Sequence, residues 1–160
     1  MTTTAYAMVS LVRYRELKIR IALAAFIGFT AWSVVPSIWP PLWFAAVLAT
    51  QALDWAVFRR FRLRQDWQPD RLYLALCCAV TVLGVAVYGA MSAYMWFFGG
   101  EVGRVFAMVQ CAGGLLHVSL HMHHSRPILI SAVAPHAAYF LGLPAFSAIA
   151  SRNWPEFLIC

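Results

Sequence analysis

Charge is what this chain has least of. Only 11% of its 160 residues are Asp, Glu, Lys or Arg, while 62% are hydrophobic; soluble domains average about 25% and about 45–50%. With a mean hydropathy of +0.72, these figures exclude an ordinary soluble domain and point to a core organised by a lipid bilayer. Acidic groups are the scarcer sign, six against twelve Lys and Arg, for a net charge of +6. That surplus does not indicate a nucleic-acid partner, because the arginines cluster at the ends of apolar runs. Cysteine is sparse as well: Cys77, Cys78, Cys111 and Cys160 form neither a CxxC pair nor a secreted disulfide framework. The first three lie in apolar stretches and are expected to pack as small hydrophobes. There is no HExxH, no GxSxG and no Gly-rich phosphate loop, and Ser and Asp assemble no triad. No catalytic residue is expected. A cleavable signal peptide is not expected either, since no small-residue cleavage site follows the first apolar run.

What is present is a series of long apolar runs. They predict an all-α, polytopic membrane bundle with five transmembrane helices over about 19–35, 41–58, 72–98, 105–122 and 127–150. Residues 1–20 read as a cytoplasmic or interfacial segment and 21–160 as the transmembrane domain. Pro36 and the Trp39-Pro40-Pro41 stretch end the first run and turn it into the second. RRFRLRQDWQPDR, residues 59–71, reads as a polar loop and GGEVGR, 99–104, as a turn. Pro127 suits the first helical position of the fifth span, which Pro135 and Pro144 should break internally.

Orientation follows from the basic residues. With the N-terminus cytoplasmic, Arg13, Arg15, Lys18, Arg20, Arg59, Arg60, Arg62, Arg64, Arg71 and Arg126 fall inside, and only Arg104 and Arg152 outside. This asymmetry predicts a multi-pass protein with its N-terminus on the cytoplasmic side. Five spans then leave the C-terminus outside, with an apolar tail beginning at Phe157. A truncated sixth span, or a longer parent protein, is the expectation.

Ionisable groups inside spans carry the functional hypotheses, because burying charge in lipid is costly. Asp54 is the only acid within a span. Folding the first hairpin about Ile38 brings Asp54 within about a turn of Arg20, predicting an ion pair, with Gln51 one helical turn away. In HVSLHMHH, residues 117–124, His117 and His121 share a helix face. Folding the next hairpin about Ser125 puts His136 near the depth of His117. His117, His121 and His136 are therefore candidate ligand-, proton- or metal-sensing residues. The pattern admits a metal or haem without requiring either. Interfacial anchoring by His121, His123 and His124 and a proton- or quinone-responsive role stand beside that reading. No carboxylate on these two spans offers the histidines an orienting partner.

Taken together, the Trp- and Pro-rich hairpin, RRFRLR, GGLLHVSLHMHHSRP and APHAAYFLGLP resemble the N-terminal membrane module of bacterial sensor histidine kinases. The likeness is to the alphaproteobacterial type carrying PAS domains. It implies a sensory or anchoring input module whose output domain follows a sixth span, with homodimerisation through that domain and the bilayer as surrounding partner. HVSLHMHH is not a phosphoacceptor box, since it lies at a membrane boundary and lacks the usual acidic neighbour. Two other classes stay open: a metal- or haem-binding membrane protein, and a small transporter subunit using Asp54 and Gln51.

Overall fold

The computed structural model describes residues 4–151. They form six helices: α1 (Ala5–Arg15), α2 (Leu17–Val34), α3 (Trp39–Leu63), α4 (Arg71–Phe98), α5 (Gly100–His121) and α6 (Arg126–Ser151). No strand occurs among the described residues. Helices α2 to α6 are each long and apolar enough to cross a membrane, as the composition requires. The expected apolar tail from Phe157 lies outside the described residues.

Local chemistry sets the helix ends. The Thr4 side chain accepts a hydrogen bond from Ala7 N at 3.2 Å, and Asp70 Oδ1 accepts one from Tyr73 N at 2.7 Å, so both act as N-caps. Pro40 and Pro41 occupy the first turn of α3, where a missing N–H leaves nothing unsatisfied. Between α4 and α5 the chain reverses at Gly99 and Gly100, the latter with φ at 60°, a conformation that favours glycine.

Four boundaries depart from the sequence reading. The stretch from 59 to 63 is helical, not loop: α3 runs on to Leu63. Phe58 and Phe61, spaced i and i+3, are fully buried there, while Arg60 stacks over Trp67 and Tyr73. Most of the expected 99–104 turn is the first turn of α5. Pro135 and Pro144 do not break α6, which continues through both; packing on α4 and α5 holds the turns that proline weakens. Finally, α6 begins at Arg126, so Pro127 takes the second helical position.

The first twenty residues also divide. Helix α1 packs on α3 with Ala7, Val9 and Ser10 buried, and α2 begins at Leu17, ahead of the expected span. Ser10 Oγ donates to the Phe58 carbonyl at 2.8 Å, and Tyr6 stacks on Phe61. One core therefore lies at the α1 end of the bundle, around Val9, Phe58, Phe61, Cys77 and Ile128. Another lies at the opposite end, around Ile27, Trp43, Val47, Met91 and Met95.

Candidate functional site

Between α2 and α5 the bundle is incompletely packed. Helix α2 lies against α3 and, less extensively, α4, whereas α5 lies against α4 and α6. The space between them is a cavity of about 660 Å³. Its walls are apolar. Phe26 of α2 and Val109 of α5, 65% and 67% exposed, line it from the bundle's outer surface and place its mouth there. Its interior carries Arg13, Arg20, Gln51, Tyr88, Gln110, His117 and His136. Each of these seven side chains has a buried nitrogen or oxygen with no hydrogen-bond partner. Buried polar groups are ordinarily paired, so their convergence on one space marks it as a site for a molecule with polar groups of its own.

Asp54 lies on this cavity with a partner the sequence did not suggest. Its Oδ1 sits 2.5 Å from Arg13 Nη1, with both side chains buried. The predicted partner, Arg20, places Nη2 at 3.9 Å from Asp54 Oδ2 and donates to the Arg13 carbonyl at 2.7 Å. Arg13 also donates to Thr81 Oγ1 at 3.2 Å and lies over the Phe58 ring. Asp54 thus sits between two guanidiniums, the closer supplied by α1. The signal for Arg13 was available: Tyr6, Val9, Ser10 and Arg13 form one helical stripe, and Arg13 extends its buried face. Gln51, one turn before Asp54, is buried and lines the cavity.

The histidines separate into three groups. His117 and His121 face Glu16, the residue joining α1 to α2: His117 Nε2 lies 3.3 Å from Oε2 and His121 Nε2 lies 2.9 Å from Oε1. Glu16 is the carboxylate the sequence reading did not find. It is 101 positions from His117, on an element that no hairpin argument pairs with α5. His136 lines the same cavity as His117 but packs against α5 at Gly114. A Cβ placed there would fall 2.5 Å from His136 Cε1. His136 is 4% exposed. His123 Nδ1 bonds to the Leu120 carbonyl at 2.7 Å, and the His123 and His124 rings stack in the turn after α5.

Compared with protein-family models, curated proteins and solved structures, the chain matches none of them.

Proposed function

We propose that this chain is the membrane-embedded input module of a signal-transduction protein, and that the cavity between α2 and α5 is where its signal is read. The ligand class is a lipid-soluble molecule with a compact hydrogen-bonding head, of which a quinone is one example. The supporting observation is the convergence, on an otherwise apolar cavity reached from the outer face of the bundle, of seven side chains that each bury one nitrogen or oxygen without a hydrogen-bond partner. Apolar walls with a few convergent polar groups are the usual make-up of a small-molecule site. Arginine Nε–H groups and the Tyr88 hydroxyl offer donors to a carbonyl or ring oxygen. The α2 and α5 walls would close on the head group, and the shift would pass along α6 through His136. In this reading the α1 end faces the cytoplasm of a bacterial inner membrane, as its concentration of arginine favours.

The test is equilibrium binding of a short-chain quinone to the detergent-purified full chain, followed by tryptophan fluorescence and by mass spectrometry of co-purified lipids. Saturable binding of one molecule per chain, weakened at least about tenfold in Tyr88→Phe/Gln110→Leu, is the expected result. No saturable binding, or binding indifferent to that double change, would overturn the cavity as the signal site.

A further inference from the structure

We propose that Glu16, His117 and His121 form a binding site for one divalent transition-metal ion of the zinc class, tying the α1–α2 junction to α5. This inference does not require the ligand assigned to the cavity, although His117 lines both sites.

The argument begins with protons. His121 Nδ1 lies 2.9 Å from the backbone carbonyl of His117. A carbonyl only accepts, so Nδ1 carries the hydrogen. In a neutral ring the other nitrogen, Nε2, then points a lone pair at the Glu16 carboxylate oxygen 2.9 Å away. Two electron-rich atoms do not rest at that separation without positive charge between them, either a proton on Nε2 or a metal ion.

His117 decides between the two. Its Nε2 lies 3.3 Å from the second oxygen of the same carboxylate, and both atoms are buried without a hydrogen-bond partner. A proton on His117 Nε2 would leave that ring neutral, but Nε2 and Glu16 Oε2 are not in hydrogen-bonding geometry, so a proton does not account for their approach. One cation answers all three donors, whose ligand atoms lie within 4.8 Å of one another.

The spacings also fit. Donors held about 2.0–2.1 Å from zinc sit about 3.4 Å apart at a tetrahedral angle and about 2.9 Å apart at a right angle. The histidine–carboxylate separations, 3.3 Å to Oε2 and 2.9 Å to Oε1, fall in this range for a carboxylate that presents both oxygens. An i, i+4 histidine pair on one helix with a carboxylate from elsewhere is a recurring zinc-ligand pattern. The His117 carbonyl already holds the far nitrogen of His121, fixing its tautomer as metal-bound imidazoles require. Two imidazoles and a carboxylate favour zinc, cobalt, nickel or ferrous iron over magnesium or calcium. Three protein ligands leave a coordination position open to water or to a ligand. His136 is not part of this set, since its ring is seated on Gly114.

The experiment uses the full chain in detergent, stripped with chelator and dialysed against zinc chloride, with metal measured by mass spectrometry. One zinc per chain is expected, with affinity lowered more than about 100-fold in Glu16→Gln and in His121→Ala. Those losses exceed the 10–100-fold typical of removing an outer partner. His123→Ala/His124→Ala should bind as the parent does. X-ray absorption at the zinc edge of the unmutated chain should give only nitrogen and oxygen neighbours, two of them imidazoles. Overturning results are the absence of stoichiometric zinc in the parent, loss confined to the His123/His124 variant, or an absorption spectrum without imidazole. The spectroscopic arm keeps the test decisive where a substituted chain fails to fold.

Discussion

At the end of the bundle away from α1, helices meet through Met91, Met95, Trp43, Ala24 and Ala31, and three polar contacts there run to backbone or to neighbouring hydroxyls. Trp43 Nε1 donates to the Val87 carbonyl at 2.7 Å, Trp96 Nε1 to Ser147 Oγ at 2.7 Å, and Ser37 pairs with the Tyr94 hydroxyl. At the α1 end the chain buries two arginines beside a single aspartate and turns two histidines toward a glutamate. Packing in a membrane can be completed without a buried ion pair, as the first end demonstrates. The second therefore carries its buried charge for a reason other than cohesion, since an ion pair in low dielectric is weak evidence for stability.

Breaking that pair is the most severe way to probe the difference. Asp54→Asn leaves Arg13 buried with no counter-charge nearby except Glu16 and should destabilise the bundle by about 3–5 kcal/mol. Reversible unfolding in mixed detergent micelles measures this. The double change Arg13→Met/Asp54→Leu should recover most of the loss, because apolar replacements of matching size are often neutral or better. Stability without ligand binding in the double variant would show that the ion pair serves the cavity. Ligand binding at the parent level would remove the asymmetry between the two ends.

The converse probe is Met91→Ala at the other end. Met91 is 1% exposed among Val47, Trp43 and Met95, and truncation opens a void without stranding a charge. A loss of about 2 kcal/mol is expected, at the low end of the core range. Helices in lipid associate through packing more than through a hydrophobic drive. Quinone and zinc binding should be unchanged, which separates stability from site chemistry. A smaller effect is expected at the boundary between the regions, where Gly114→Ala puts a methyl group on the His136 ring. Displacing that ring should destabilise by about 1–2 kcal/mol. It should also weaken quinone binding several-fold while leaving the Glu16 site intact, as parallel titrations would show.

The apolar end was the readable one. Five runs of hydrophobic residues, separated by breaks such as Pro36, Gly99 and the turn before Arg126, translate directly into α2 to α6, because a spanning helix must satisfy its own backbone. The α1 end was harder for two physical reasons. Composition makes 59–63 look like loop, yet its arginines lie on exposed or stacking faces while Phe61 is buried, so the helix continues. Depth-matching relates only spans adjacent in sequence. It placed Arg20 in the neighbourhood of Asp54 and His136 in the cavity with His117, but could not bring α1 onto α3 or Glu16 onto α5. Both Arg13 and Glu16 lie in the stretch read as a cytoplasmic or interfacial segment; their function as partners depends on contacts 41 residues apart for Asp54 and about 100 apart for the histidines.

The mildest probe tests whether polar groups at the quiet end are merely satisfied. Trp96 Nε1 reaches Ser147 Oγ across the α4–α6 contact. Trp96→Phe keeps most of the ring and removes that donor; Ser147 Oγ is the acceptor in this bond, so its hydroxyl keeps its own hydrogen to donate, as the Ser131 hydroxyl does to the Pro127 carbonyl. A helix hydroxyl therefore has a fallback that the ring nitrogens of His117 and His136 lack. The expected loss is about 1 kcal/mol or less, measured by the same unfolding assay. A loss of 3 kcal/mol or more, about what Asp54→Asn should give, would mean that the quiet end is as dependent on its polar contacts as the α1 end.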